Sequence, residues 1–366
     1  MGTRLLVIGG FGPGQLPDSY ARAFERRGFE VHRFDSDRAY FESAACAHSP
    51  YFRRIFRPVL WARMHRATIA AARTVKPHAV MAVKGSYLDA ETVRTIRREL
   101  GVPFFNYFPD HPYCGVPLNP RKTSAQRRDL IEVLKEYTRV WTWEPALVAR
   151  LQSDGVSAGY LPFGVDDEVF RPDAPGPPPP NAHGSRAGGP GPSPRRECEE
   201  DHRVVFVGQH SDKREAHLAA IRGHAVGLWG NRWSRAAGRF GGRHTVHREP
   251  AFGDTCAALY RSADVSLNVV DDLNMPGHNM RTFEIPGSGG VMLAGYTAEQ
   301  AAIFPPGEAA MYYHQPEELD ELLRRMCGDP ALTARLRRHA AAIAAGHSYE
   351  HRAASMMAEL GLNGRR

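Results

Sequence analysis

Short apolar runs recur along this chain with room for one helix between each run and the next. In the first half they are LLVIGG (5–10), FEVHRFD (29–35), PHAVMAVKG (77–85), VPFFNYFPD (102–110), TRVWTWE (138–144) and SAGYLPFGVD (157–166). Helical stretches are expected near Asp18–Arg27, over the Arg-rich segment 53–75, over Asp89–Leu100 and before Thr138. Runs this short, rich in β-branched and aromatic residues and alternating with helices, point to a doubly wound parallel sheet. Residues 172–200, PDAPGPPPPNAHGSRAGGPGPSPRRECEE, then offer almost nothing that can pack, as in a linker or disordered loop. Alternation resumes with HRVVFVGQ (202–209), HAVGLWG (224–230), ADVSLNVV (263–270) and GVMLAGYT (290–297), and two Ala/Arg/Leu-rich helices close the chain. The expected class is α/β. Two Rossmann-like domains, each with its own parallel sheet, would face a central cleft. The expected divisions are 1–172, a linker 173–200, 201–346 and a terminal segment 347–366.

Bulk properties narrow the function. At 366 residues the chain exceeds one comfortable core. The apolar run at the start is too short for a signal-peptide core, and no stretch reaches the ~18–20 apolar residues of a membrane span. A cytoplasmic protein is expected. Five scattered cysteines, with no CxxC pair, argue against a disulfide framework or a thiolate zinc site. The net charge of +7 rests on arginine, since only Lys76, Lys84, Lys122, Lys135 and Lys213 are lysines. Without interleaved aromatics that charge does not read as a nucleic-acid surface; an anionic small molecule suits it.

The loop Gly9-Gly10-Phe11-Gly12-Pro13-Gly14 falls between a strand and a helix. Counted as GxGxxG from Gly10, its third glycine is Gln15, so a dinucleotide fingerprint fails even though Asp35 follows at a suitable distance. Gly10, Phe11 and Gly12 are better read as a tight turn leaving room for a ligand at the carboxyl edge of the sheet. Asp35-Ser36-Asp37 has the DxD spacing of some metal sites, but acidic turn residues are common at strand ends, and no metal is expected. Asp110 and His111, held between Pro109 and Pro112 at the end of the fourth strand, are candidates for a general base. Lys84 and Glu144 end neighbouring strands and would line the same edge.

In the second half, Gly208-Gln209-His210-Ser211-Asp212-Lys213-Arg214 follows a strand and opens a helix, a ready anion site with two adjacent cations. NMRTFEIPGSGG (279–290) leads through glycines into another strand. Arg281 there suits a phosphate and Glu284 a ribose diol, although an i,i+3 pair of the two would also account for them.

These motifs together resemble a known family. LPFGVDDEVFRP (161–172) looks like the segment closing the first domain of GT-B glycosyltransferases. FVGQHSDKRE, VGLWGNRW, LYRSADVSLNVV, NMRTFEIPGSGGVMLA, EAAMYYHQPEELDELL and GHSYEHRAASMMAEL then follow in the order of the CgeB-like glycosyltransferases. The resemblance is good over 203–358, looser over 76–172 and slight before that. It implies a GT-B fold, an acceptor-side first domain and a second domain that binds a nucleotide-diphosphate sugar, with the terminal helix crossing back to the first. It also implies donor contacts from Gly208, His210, Lys213, Arg214, Trp229, Gly230, Trp233, Arg281, Glu284, Ser288, Gly289 and Gly290. Many retaining relatives carry a Glu eight residues before the one matching Glu284; here Pro276 stands there, so His278 or Asn279 would contact the sugar. Inversion with a base from Asp110 or His111 is favoured. No cofactor is expected beyond the nucleotide-sugar co-substrate, whose base is not specified.

The rival functions are a nucleotide-sugar epimerase, a non-catalytic nucleotide-sugar-binding protein and, against the broken fingerprint, a nicotinamide oxidoreductase. The acceptor would be a small molecule or a surface polymer. The Ala/Arg-rich composition suggests a bacterium of high GC content and natural-product or surface-polymer glycosylation.

Overall fold

Thr3–Gly9 forms strand β1, whose residues Leu5 to Ile8 are at most 1 % exposed. A strand with no solvated face must lie inside a sheet covered on both sides. In the computed structural model, which describes residues 2–12, 14–41, 50–85, 88–113, 124–173, 203–247 and 249–362, β1 pairs in parallel with β2 (Phe29–Asp35) and β3 (Ala79–Val83). β4 (Phe104–Tyr107), β5 (Arg139–Thr142) and β6 (Ala158–Tyr160) extend this sheet in the order β2-β1-β3-β4-β5-β6, every pairing parallel. Helices Leu16–Arg26, Ala90–Leu100 and Pro145–Ser153 connect successive strands. Their ends are locally encoded. Asp89 accepts the Thr92 amide at the start of Ala90–Leu100, and Gly101, at φ 64°, closes it.

The second sheet repeats the plan. β7 (Val204–Val207), β8 (Gly227–Trp229), β9 (Thr245–Val246), β10 (Val265–Asn268), β11 (Met292–Gly295) and β12 (Met311–Tyr313) lie in the order β12-β11-β10-β7-β8-β9, all parallel. The edge strands β9 and β12 fall outside the apolar runs of the sequence.

The chain divides into one unit of Met1–Phe163 with Tyr349–Arg366 and another of Gly164–Ser348, so the division falls at Phe163/Gly164 where the sequence suggested 172. Helix Tyr349–Leu360 belongs to the first unit through specific bonds. Arg352 donates to the carbonyls of Pro162 and Phe163, and the Trp141 indole donates to Glu359 at 2.9 Å. Apart from Asp173, the expected linker 173–200 lies outside the described residues, as do Pro13 and the cysteines at 46, 114 and 198.

Candidate functional site

In a doubly wound sheet the chain leaves the middle in two directions, and the carboxyl ends of the two strands at that switch point frame a crevice. In the second unit those strands are β7 and β10. Arg214, 7 % exposed, spans them: its guanidinium donates to Gln209 O at 2.8 Å and to Val269 O at 3.3 Å, and lies 3.5 Å from Asp271 Oδ2. Burial and the neighbouring Arg281 bring its pKa down to about 10. Arg281 in turn donates from Nε to Val207 O, the last carbonyl of β7. Glu284, one turn along helix Arg281–Gly287, is pushed up to about 7 by burial, with Arg281 opposing and Asp166 adding to the rise. Two guanidiniums that repel each other, beside a carboxyl that burial resists ionising, would be relieved by an anion together with hydroxyl donors.

Around this centre the loop after β7 is clasped tightly. Trp233 Nε1 donates to Gly208 O at 2.7 Å, and a Cβ on Gly230 (φ 149°) would lie 2.0 Å from the same oxygen. Only glycine fits at 230. A Cβ on Gly208 would crowd the Phe206 ring at 2.9 Å and lie 3.4 Å from Arg281 Nη2. Trp229 stacks on His247 with centroids 3.9 Å apart and planes at 4°. Lys213 is paired with Asp272 at 2.7 Å.

The 279–290 motif has a different internal logic from the one its glycines suggest. The amides of Ser288, Gly289 and Gly290 bond to Glu284, Pro286 and Ile285 carbonyls within the turn, and Ser288 Oγ also donates to Glu284 O. A Cβ on Gly290 would sit 2.8 Å from Tyr260 O, and one on Gly287 2.5 Å from Val165 Cγ2. These glycines let helix and loops pack, so the expected role of their amides as ligand donors is corrected. His278 is fully buried, with Nδ1 3.0 Å from Glu299 Oε2, and Asn279 donates to Asn268 Oδ1 within a buried network that includes Thr282 and Gln300. Both side chains brace the entrance to helix Arg281–Gly287 from inside, which corrects their expected exposure to a sugar.

The first unit has its switch point between β1 and β3. Gly12 N donates to Asp18 Oδ2 at 2.8 Å, and a Cβ on Gly10 would lie 2.4 Å from Asp37 Oδ2; Phe11 is the partly buried residue between them. Lys84 holds a left-handed backbone (φ 64°), rare outside glycine, and its Nζ lies 2.8 Å from Asp110 Oδ2. The Asp37 carboxyl is raised by burial and by Asp35, against the pull of Lys84. His111 Nδ1 accepts the Tyr113 amide at 3.2 Å, so the proton of the neutral ring sits on Nε2. Burial and Arg150 lower its pKa. Glu144 is taken out of this edge: it caps helix Pro145–Ser153, its two oxygens accepting Ala146 N and Leu147 N, and it is 7 % exposed.

This architecture matches known structures along its whole length. Sucrose-phosphate synthase from Thermosynechococcus elongatus aligns with a TM-score of 0.70 at 13% identity, covering 98% of each chain. Anabaena HepE in complex with UDP-glucose aligns with a TM-score of 0.62 at 13% identity, over 97% of this chain and 99% of that one. The fold is GT-B. A structure titled trehalose-6-phosphate from E. coli, bound with UDP-2-fluoro glucose, gives a TM-score of 0.62 at 13% identity over 98% of both chains. Residues 213–358 of this GT-B chain also match the family model described as glycosyl transferase-like. No curated protein matches it.

Asp37, Asp271 and His247 were missed as site residues by sequence reasoning. Asp271 was discoverable, because it comes directly after β10, the strand at the GT-B switch point. The Trp229–His247 stack depends on parallel strands β8 and β9 lying side by side, which carries no local signal. His210, Asp212 and Glu215 are the one group of three potential metal ligands among the described residues, with ligand atoms within 4.8 Å. Glu215 there is bonded by His210 at 2.6 Å and by Arg239 at 2.5 Å. A guanidinium already neutralises the carboxylate that a cation would need.

Proposed function

We propose that this protein is a CgeB-like glycosyltransferase that moves a sugar from a nucleotide-diphosphate sugar to a hydroxyl of a small-molecule or polymer acceptor, without a metal ion. The observation that carries the reading is the Arg214–Arg281–Glu284 cluster at the switch point of the second unit. The two guanidiniums would take the diphosphate, whose negative charge grows as the sugar C1–O bond breaks, and that is where fixed cations lower a barrier. Glu284 would accept hydrogen bonds from the ribose diol, and the Trp229–His247 stack offers a flat surface suited to a base. Asp110, oriented by Lys84, would take the acceptor hydroxyl proton as its oxygen bonds to C1, while His111 donates from Nε2 to position the acceptor. Pro276, in place of a second carboxylate, favours direct displacement with inversion. Uridine nucleotides are the first donors to try, because the solved neighbours HepE and the E. coli protein carry UDP-sugars. A cytoplasmic protein acting on natural products or surface polymers is consistent with this reading.

The test is thermal stability of the purified protein titrated with UDP, GDP, dTDP and ADP. One nucleotide is expected to raise Tm by roughly 5 °C at about a hundredfold excess over Kd. Chelation of metals should leave the shift intact, and Glu284→Ala should weaken binding on the order of a hundredfold. No shift with any nucleotide at millimolar concentration would overturn the proposal.

A pH dependence follows from Glu284. The carboxylate that accepts ribose hydroxyls is the ionised form, and at a pKa of about 7 it is lost as pH falls. Affinity for the nucleotide sugar, whose diphosphate diester does not titrate here, is therefore expected to fall about tenfold per unit below pH 7. Isothermal titration with Glu284→Gln should give a flat profile. An unchanged slope in that variant would exclude Glu284 as the titrating group.

A further inference from the structure

Helix Pro50–Val75 is anchored along one side only. Leu60, Met64, Thr68 and Ala72, four residues apart, are buried, and Trp61 and Ile69 pack against the same core. Before Leu60 that burial ends. Ile55 is 55 % exposed, Phe56 45 % and Val59 62 %, with Arg57 and Pro58 exposed between them. Seven large apolar side chains are exposed among the described residues, and three of them fall within these five positions, so this is a patch and not scatter. The helix carries six arginines, no lysine and no acidic residue. Arg57 lies 4.2 Å over the Trp61 ring, Arg66 is exposed, and Arg73 is paired with Glu99 at 2.7 Å.

We infer that the exposed N-terminal part of this helix docks on an anionic lipid surface. Apolar and arginine side chains intermix around the helix and do not divide it into two faces. A rigid protein groove would have to match that mixture position by position. A fluid interface accepts it: Ile55, Phe56 and Val59 enter the boundary of headgroup and acyl chain while Arg57 and Arg66 reach lipid phosphates with their stems alongside. The contact is peripheral, since no helix among the described residues is long and apolar enough to cross a membrane. The inference is independent of sugar transfer, and its test requires no turnover.

The full chain should be sedimented with phosphatidylcholine vesicles containing about one-third phosphatidylglycerol, and with phosphatidylcholine alone. Binding is expected to the anionic vesicles only and to be released at roughly 0.5 M salt. The triple variant Ile55→Ser, Phe56→Ser, Val59→Ser should cut partitioning about tenfold or more at an unchanged Tm, and Arg57→Glu with Arg66→Glu should do the same. Absence of wild-type binding, or equal binding by the triple variant, would overturn the inference. A dimer in sedimentation equilibrium that the triple variant dissociates would assign the patch to a second copy. Binding of polyglutamate at salt that releases the vesicles would assign it to an acidic protein.

Discussion

Arg281→Met is expected to lower kcat/KM for sugar transfer by about 100- to 1000-fold, the usual cost of removing one fixed donor from a developing oxyanion. Methionine keeps much of the side-chain length, so the loss falls on the guanidinium. Two consequences can be told apart. Val207 O loses its donor, which should cost roughly 1–3 kcal/mol of stability and show as a lower Tm without ligand. The diphosphate loses one of two cations, which should show in kcat as well as in nucleotide affinity. Arg214 reinforces the argument, because burial beside Arg281 brings it down to about 10 in the ligand-free protein. Removing Arg281 relieves Arg214, yet one guanidinium cannot replace the pair. Arg281→Lys should fall between, since a single ammonium cannot hold Val207 O and a phosphate oxygen with the same fork geometry. Normal kcat/KM with a lowered Tm would reduce Arg281 to a scaffold.

The α/β class was legible because the central strands are buried on both faces. β3, AVMAV, and β7, VVFV, have no solvated positions and read as continuous apolar runs. β9, two residues long, and β12, MYY, are edges whose pairing depends on neighbours, so they left no such run. The strand-end rule also located Arg214, Arg281, Glu284, Lys84 and Asp110 at carboxyl edges, since position after a strand is a local property. What a side chain does at that edge is not. Glu144 ends a strand as Lys84 does, but the helix that follows takes both its oxygens. The glycines 287 to 290 promised room for a ligand, and the room is filled by Val165 and by the Tyr260 carbonyl. His278 and Asn279 turn inward because Glu299 and Asn268, distant in sequence, provide buried polar partners.

Asp110→Asn is expected to reduce kcat by about 100- to 10,000-fold while leaving nucleotide affinity unchanged, as removal of a general base does. The choice between the two neighbouring candidates rests on one hydrogen bond. With Nδ1 of His111 accepting the Tyr113 amide, the neutral ring presents Nε2–H, a donor, to whatever reaches it. It can orient an acceptor oxygen but cannot take its proton without first changing tautomer. Asp110 presents oxygen, and the Lys84 ammonium at 2.8 Å fixes where it points. Lys84 holds a left-handed backbone at that position, a cost that its contact with Asp110 helps to justify. His111→Gln, which keeps an N–H donor, should therefore retain most of kcat and raise the acceptor KM. The pH profile separates the two assignments. An imidazole base must be neutral, and burial with Arg150 places its titration below the ordinary histidine value of 6.5. An acid limb of kcat/KM below that value, abolished by His111→Gln and preserved in Asp110→Asn, would transfer the role of base from the carboxylate to the imidazole.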